Sequence, residues 1–241
     1  MENWGRLGPC TTSMKESKFT KTPIIIGGCG RSGTTLLLSI LSAHQHIFGI
    51  PFETNTFCAS SIDLKGINDY FLTQDIPDGS RWCEKTPRNI LFVDGILKYF
   101  NNDVRILNIV RDGRDVILSR HPENPDQFWI DPERWIKDVK AGIEVENKNQ
   151  VMTLKYEDLV LDFGSTVQKI LAFIDEEYNP EISNWHQHTK VKVHEAWFEK
   201  VQPLYKDSIG KWKSLRYRQR VKGFMNKPEA VALLKYYNYI D

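Results

Sequence analysis

The fold of this chain is decided by the stretch Pro23-Ile24-Ile25-Ile26-Gly27-Gly28-Cys29-Gly30-Arg31-Ser32-Gly33-Thr34-Thr35. Its short apolar run, glycine-rich turn and helix start follow one another directly, which is typical of a buried strand that feeds a helix. Glycines let the backbone turn tightly and approach an anion, and the first N–H groups of the helix point at that anion. The stretch therefore predicts a phosphate-binding strand-loop-helix.

This loop differs from the phosphate loop of ATP-binding proteins at one position. Gly28 and Gly33 have the spacing of that motif's glycines, but Thr34 stands where the motif requires a lysine. Arg31 supplies a fixed positive charge instead, and such a group suits the oxygens of phosphate or sulfate. Hydroxyl groups are provided by Ser32, Thr34 and Thr35. Taken alone, the segment is also compatible with a glycine turn that only feeds a core helix.

Length and composition fit one α/β domain. The chain has 241 residues, of which 41% are hydrophobic and 26% are charged, and its formal net charge is +1. This balance excludes an overall field that would attract nucleic acid or an anionic membrane, so any basic site has to be local. We expect residues 1–21 to form a flexible N-terminal segment and residues 22–241 to form the domain.

Targeting signals and cysteine usage indicate a cytoplasmic protein. The segment before residue 22 contains no apolar run of the kind found in signal peptides or anchors, and no stretch approaches membrane-spanning length. The four cysteines lack the spacing of metal ligands, which favours reduced thiols over a disulfide framework. We therefore expect no metal and no membrane span, while the oligomeric state stays open.

Apolar strands alternate with helical patterns along the chain, which predicts a mostly parallel sheet covered by helices, with ligands at the carboxyl ends of the strands. After the first strand we expect strands at Ile47–Ile50, Arg81–Glu84, Val104–Val110 and Val151–Lys155. We expect helices at Thr34–Ala43, Pro87–Phe100, Gly113–Arg120, Asp131–Lys148, Glu157–Ile174 and Pro228–Tyr236. The irregular, aromatic stretch from Ile182 to Tyr217 is a candidate lid.

A second candidate anion site is the stretch Val110-Arg111-Asp112-Gly113-Arg114-Asp115. A buried strand delivers Arg111 to its carboxyl end, and a helix begins at once, so an anion at that edge would meet Arg111 first. The alternative is that Arg111 and Arg114 pair with the two neighbouring aspartates, and that Ser119 is a passive helix residue.

The two stretches together resemble the PAPS-dependent sulfotransferases, and their motifs are most similar to those of the tyrosylprotein-type and bacterial members. The family loop carries Arg or Lys followed by Ser-Gly-Thr-Thr. The resemblance implies that the 5′-phosphosulfate of PAPS is bound by Gly30, Arg31, Ser32, Gly33, Thr34 and Thr35. It implies that Arg111 and Ser119, which has the family's interval after the arginine, bind the 3′-phosphate.

Two later segments follow the family order. Tyr156 begins a Tyr-Glu-Asp-Leu segment after a strand, and Lys211 and Trp212 lie in an Ile-Gly-Lys-Trp-Lys segment near the end. The resemblance implies that Tyr156 lies near the nucleotide, and that the Gly-Lys-Trp segment closes over the 3′-phosphate. Taken alone, the first segment also fits a helix cap and the second a turn.

Sulfuryl transfer requires a base for the acceptor hydroxyl and positive charge on the transferring group. Tyrosylprotein-type enzymes supply these from Gly-Glu-Glu-Thr and Lys-Asp-Pro segments, which implies Glu53 as the base, with Lys85 and Arg31 stabilising the sulfuryl group. Phe52 and Thr86 depart from those segments, so the acceptor stays open.

Other readings of the same residues stay open. A surface salt bridge is the alternative for Glu53 and Lys85, and His44 and His46 are rival bases.

The sequence thus predicts a cytoplasmic sulfotransferase that moves a sulfuryl group from PAPS to a hydroxyl of a sugar, small alcohol, tyrosine or other phenol, releasing PAP. The alternatives are a kinase with a phosphate loop and a non-catalytic module that binds PAP.

Overall fold

The computed structural model describes residues 19, 21–59, 61–121, 123–191, 203–204 and 206–241. Apart from positions 19 and 21, the expected flexible segment lies outside the described residues. So do positions 192–202 and 205 of the candidate lid.

Five strands form one sheet in the order β2-β3-β1-β4-β5, and all four neighbouring pairs are parallel. The strands are β1 (Ile24–Gly28), β2 (Ile47–Gly49), β3 (Arg81–Lys85), β4 (Arg105–Val110) and β5 (Val151–Lys155). β1 lies in the centre, between β3 and β4. The expected parallel sheet is confirmed, and its central strand is the one that leads into the glycine loop.

Helices connect the strands and cover both faces of the sheet. They are α1 (Thr34–Leu41), α2 (Lys65–Leu72), α3 (Val93–Tyr99), α4 (Gly113–Val116), α5 (Pro132–Val145), α6 (Tyr156–Leu161), α7 (Phe163–Phe173), α8 (Trp185–His188), α9 (Arg218–Met225) and α10 (Pro228–Tyr236). Short 3₁₀ helices span Pro87–Phe92, Pro180–Asn184, Lys211–Lys213 and Leu215–Tyr217. Among the residues that the structure describes, no helix is long and apolar enough to cross a membrane.

The side chains of β1 alternate between two cores. Ile24 and Ile26 pack with α1 and α7, whereas Ile25 packs on the opposite face with α3. A third cluster, which includes Trp135 and Phe224, lies beneath the start of α4. Since both faces of β1 are covered, its carboxyl end holds the loop that follows in a fixed position.

The helix expected at Gly113–Arg120 is wrong in its second half, because α4 ends at Val116. The Trp129 N–H group donates to the Ser119 carbonyl (2.9 Å), and the next pair along forms an antiparallel bridge. These long-range bonds replace the helical ones, so Ser119 lies beyond the helix.

The expected helix Pro87–Phe100 is divided into a 3₁₀ helix over Pro87–Phe92 and α3. The first part lies directly on β1, where a Cβ atom on Gly27 would be only 2.8 Å from the Ile90 nitrogen. This close packing of the β1 backbone against residues 87–92 favours a 3₁₀ helix, which is wound more tightly than an α-helix.

Three helices, α2, α8 and α9, have no counterpart in the sequence prediction. Apolar residues at helical spacing do pack against the core from α2 (Ile67, Tyr70, Phe71) and from α9 (Val221, Phe224, Met225). Each of these two helices is only eight residues long, so the apolar pattern is too short to stand out. The other expected strands and helices are present, with ends that differ by a few residues.

Gly28 tests the tight junction between β1 and β4. Its φ is +139°, and a Cβ atom there would lie 2.3 Å from the Ile109 carbonyl oxygen. We expect Gly28→Ala to lower the free energy of unfolding by about 2 kcal/mol or more, measured by urea denaturation.

Gly95→Ala is the matched control for this substitution. Gly95 lies in α3, and a Cβ atom there would meet no other atom within 4 Å. The free energy of unfolding of this control should rise by about 0.5–1 kcal/mol. Equal stabilities of the two variants would contradict the close approach at Gly28.

Candidate active site

Four strands deliver the predicted functional residues to the same edge of the sheet. The glycine loop follows β1, Lys85 ends β3, Arg111 follows β4 and Tyr156 follows β5. Because all these strands are parallel, their carboxyl ends meet at one edge. The segments that the sequence singles out therefore border a single site.

The glycine loop adopts a backbone that suits an anion. Arg31 and Gly33 have φ values of +68° and +99°, and the Ser32 N–H group closes the turn by donating to the Cys29 carbonyl (3.1 Å). Within the described ranges no side chain caps α1, and its first turn contains no acidic residue. The first N–H groups of α1 therefore have no competing side-chain acceptor.

Ser32 is fully buried, and its hydroxyl finds no hydrogen-bond partner among the described residues. A buried hydroxyl of this kind is costly unless a ligand supplies the missing partner. Its place inside the loop makes an oxyanion a fitting partner. Thr34 and Thr35 follow it as buried residues at the start of α1.

Gly33 is required by its neighbour across the loop. A Cβ atom there would lie 2.5 Å from the Tyr156 ring. The Tyr156 hydroxyl forms a 2.6 Å hydrogen bond with the Ser208 hydroxyl. Tyr156 thus contacts both the glycine loop and the C-terminal segment.

Arg111 is buried, and its guanidinium group lies 4.2 Å from the centre of the Tyr156 ring. Nη1 donates to the Arg31 carbonyl (3.1 Å) and Nη2 to the Ser208 carbonyl, while Nε has no acceptor within the described chain. No described carboxylate forms an ion pair with it. The alternative ion pair with a neighbouring aspartate is not formed by Arg111, although Asp115 and Glu157 lie near enough to interact with its charge. Its Nε–H group is available to an anion.

Arg114 has the carboxylate partner instead. Its Nη2 lies 2.7 Å from Asp112 Oδ2, and its guanidinium stacks 3.7 Å from the centre of the Trp212 ring. Asp115 accepts hydrogen bonds from the Gly210 and Trp212 N–H groups (2.7 and 3.0 Å), and burial raises the pKa of its carboxyl. The start of α4 therefore anchors the Gly-Lys-Trp segment.

The remaining predicted anion-binding residues lie less centrally. Trp212 is half-buried on Arg114, and Lys211 is exposed. Ser119 is half-buried, and in the described part of the chain no hydrogen bond of its side chain links it to Arg111.

Glu53 and Lys85 meet as an ion pair. Lys85 is fully buried at the end of β3, and its Nζ donates to Glu53 Oε1 over 2.6 Å. The Glu53 side chain keeps 34% of its accessible surface, so its second oxygen can reach a hydroxyl from solvent. The sequence predicts both a salt bridge and a catalytic pair at this place, and the geometry suits both.

Two residues escape the sequence analysis. Glu84 is fully buried in β3, and its only signal is a carboxylate inside a buried strand. Arg134 lies against the glycine loop, since a Cβ atom on Gly30 would be 3.3 Å from its Nη2. Arg134 gives no sequence signal, because it lies on a polar helix far along the chain.

The rival bases lie at the opposite edge of the sheet. His46 is joined to Arg81, where β3 begins, while Lys85 ends that strand, roughly 13 Å away along the backbone. His44, His46 and Glu176 are close enough to share a metal ion. Glu176 already pairs with Arg81 and Lys21, and these two cations oppose a metal there.

A family model for the sulfotransferase domain matches residues 21–229. A protein-tyrosine sulfotransferase of Drosophila melanogaster is 23% identical over 78% of this chain and 46% of its own length. An uncharacterized protein of Aquifex aeolicus is 24% identical over 80% of this chain and 31% of its own length. The chain therefore spans less than half the length of these two curated relatives.

Solved structures share the fold. The sulfotransferase domain from the curacin biosynthetic pathway superposes with a TM-score of 0.66 and 15% identity, covering 91% of this chain and 98% of that domain. A mouse sulfotransferase complexed with PAP gives 0.60 and 16% identity, covering 91% of this chain and 89% of that one. The fold predicted from the sequence is confirmed.

The unpartnered hydroxyl of Ser32 can be tested without a ligand. We expect Ser32→Ala to leave the free energy of unfolding unchanged, or to raise it by about 1 kcal/mol, because it removes a buried group that lacks a partner. Chemical denaturation measures the difference.

Ser42→Ala is the matched control for Ser32→Ala. The buried Ser42 hydroxyl bonds the Ser39 carbonyl and the Thr189 hydroxyl (3.0 and 2.8 Å). Loss of the Ser42 hydroxyl should lower the free energy of unfolding by about 1 kcal/mol. An equal loss for Ser32→Ala would mean that the loop hydroxyl has a partner in the free protein.

Proposed function

The chain belongs to the sulfotransferase family, and from this premise we propose that it transfers a sulfuryl group from PAPS to an acceptor hydroxyl. One observation carries the proposal. The glycine loop, Arg111 with its unpartnered Nε–H group and the Glu53–Lys85 pair border the same sheet edge, on the three neighbouring strands β1, β4 and β3. Two anion sites and an acid-base pair are the groups that this reaction requires.

The glycine loop is the proposed site of the 5′-phosphosulfate. The uncapped N-terminus of α1 and the unpartnered Ser32 hydroxyl supply hydrogen-bond donors to its oxygens. Gly30, Gly33, Thr34 and Thr35 complete the loop. Arg31 adds a fixed positive charge, and its guanidinium lies 5.3 Å from the centre of the Trp129 ring.

Arg111 is the proposed partner of the 3′-phosphate. Its buried guanidinium has an Nε–H group without an acceptor and no carboxylate in ion-pair contact within the described residues, so a dianionic phosphate would complete its interactions. The Tyr156 ring packs against this guanidinium group. We assign Ser119, Lys211 and Trp212 to the surroundings of the same phosphate.

The transfer needs one base and two cations. Glu53 accepts the proton of the acceptor hydroxyl, whose oxygen forms a new bond to sulfur while the bond between sulfur and the 5′-phosphate oxygen breaks. Lys85 and Arg31 offset the charge on the sulfate oxygens and on the leaving phosphate of PAP. Protonation of Glu53 also removes the charge that holds Lys85, which favours contact of the ammonium with the leaving group.

The acceptor is a hydroxyl compound that approaches Glu53 from solvent. Phe52 lies beside Glu53 and packs edge-on against Tyr70, with ring centres 5.0 Å apart, and 37% of its surface is exposed. An aromatic rim of this kind suits the flat face of a phenol or a sugar ring. We therefore propose a sugar, small alcohol, tyrosine or other phenol as acceptor.

Nucleotide binding tests the proposal before any acceptor is known. We expect calorimetry to show micromolar binding of PAP, much weaker binding of ATP and AMP, and a loss of about 10–100-fold for Arg111→Ala, because charge-assisted hydrogen bonds are removed. Arg105→Ala is the control, since Arg105 lies on the same strand and pairs with Asp175. Preference for magnesium-ATP would favour a kinase, and absence of nucleotide binding would overturn the assignment.

The proposed base has a separate test. Glu53→Gln should keep its affinity for PAP but reduce the release of PAP from PAPS by about 10²–10⁴-fold, because the amide cannot accept the acceptor's proton. The release is measured by chromatography in the presence of 4-nitrophenol, a tyrosine peptide and N-acetylglucosamine. Glu181→Gln, an exposed substitution in the 180–184 helix, should have no effect. Full activity of Glu53→Gln would assign the proton to another group.

A further inference from the structure

Glu84 is a buried carboxylate that the proposed mechanism does not use. Its side chain lies in β3 directly before Lys85, with no accessible surface. No cation among the described residues forms an ion pair with it, and burial raises the pKa of this carboxyl. Four hydrogen bonds from neutral groups offset the cost of its burial.

Three of these bonds converge on one oxygen and hold the loop that carries Glu53. Glu84 Oε1 accepts from the Thr54 N–H group (3.3 Å), the Thr54 hydroxyl (3.0 Å) and the Thr86 hydroxyl (2.6 Å). The Thr86 oxygen in turn accepts from the Asn55 N–H group (3.2 Å). The two residues that follow Glu53 are therefore fastened to the end of β3.

The fourth bond extends this network to the central strand. Glu84 Oε2 accepts from Asn89 Nδ2 (2.7 Å), and the same amide group donates to the Ile26 carbonyl (3.1 Å). Ile26 lies in β1, which leads into the glycine loop. One carboxylate thus connects the loop of Glu53, the strand of Lys85 and the strand that carries the anion-binding loop.

The chemistry of this network goes beyond filling space. An apolar side chain would fill the same volume without the cost of burying a charge, but it could not accept bonds from two hydroxyls, an amide side chain and a backbone N–H group at once. Three of the four bonds end on the residue after Glu53 and on the residue after Lys85. They link the backbone segments that carry these two side chains.

We propose that Glu84 is a positioning residue for sulfuryl transfer, which holds residues 54 and 55 so that the Glu53 carboxylate stays in contact with Lys85. It touches neither the acceptor nor the nucleotide, and it acts through Glu53. The inference rests on the proposed function for its catalytic part. The hydrogen bonds that Glu84 accepts from Thr54 and Thr86, which we call the clamp, can be observed without any reaction.

The test uses substitutions of the donors, because Glu84→Ala could fail to fold. Thr54→Val and Thr86→Val each remove a hydroxyl that donates to Glu84 and keep the shape of the side chain. Thr56→Val is the matched control: its hydroxyl lies on the same loop and forms no hydrogen bond to another described residue.

Two readouts follow the clamp in the absence of turnover. Hydrogen exchange of the peptide that contains the Thr54 and Asn55 amides, read by mass spectrometry, should be faster by about 10-fold in Thr86→Val than in the wild type, because the substitution removes the acceptor of the Asn55 N–H group and one of the bonds that hold Glu84 Oε1. Acetylation of Lys85 by acetic anhydride should also be faster in both variants and unchanged in Thr56→Val. Unchanged exchange and acetylation in both variants would overturn the proposal.

Kinetics then separate positioning from folding. In Thr54→Val and Thr86→Val we expect kcat to fall by about 10-fold, with KM for PAPS and the affinity for PAP within about twofold of the wild type. In a Glu53→Gln background the same substitutions should have no further effect on kcat, since they act through that carboxylate.

Additive losses in that background, or a loss of PAP affinity equal to the loss of kcat, would assign Glu84 a purely structural role. A wild type without any transfer would overturn the proposed function, and with it the catalytic part of this inference. The exchange and acetylation results would still decide whether the clamp exists.

Discussion

The stacking of Arg111 on the Tyr156 ring is the interaction on which the site depends. The ring lies against Gly33 on one side and carries the guanidinium group on another, and its hydroxyl bonds Ser208. Three parallel strands must pair in register before these groups can meet, since Arg111 follows β4, Tyr156 follows β5 and the glycine loop follows β1. The sheet therefore defines the distance between the glycine loop and Arg111, the two proposed anion sites.

The sequence predicts the parts of the site that local pattern determines. Arg111 follows an apolar run and Lys85 follows a short predicted strand, and a parallel sheet brings the carboxyl ends of its strands to one edge, so their common location is predictable from the sequence. Gly33 is recognisable because a tight turn before a helix requires a glycine. These features depend on a few neighbouring residues, which is why a single sequence reveals them.

The features that the sequence does not predict depend on contacts between segments that are distant in the sequence. The helix after Arg111 stops early because the Ser119 carbonyl accepts a hydrogen bond from Trp129, and no local signal marks that bond. Glu84 lies in a stretch where only the lysine suggests a function, yet its partners include Thr54 on another loop and Asn89 in the 3₁₀ helix over Pro87–Phe92. The helices α2 and α9 carry apolar residues at helical spacing, but each is only eight residues long, so the pattern does not stand out from the surrounding sequence.

The bond between Arg111 and the Ser208 carbonyl would affect the kinetics of the proposed nucleotide binding. The carbonyl occupies a donor that an incoming phosphate would use, so the free protein already satisfies part of its own anion site. A ligand that claims this donor has to displace the segment anchored at Asp115, and its apparent affinity is reduced by the population of the closed arrangement. Association of the nucleotide would then be slower than the diffusion limit. The Ser208 carbonyl would compete with the phosphate for Arg111, and this competition would speed the release of the product.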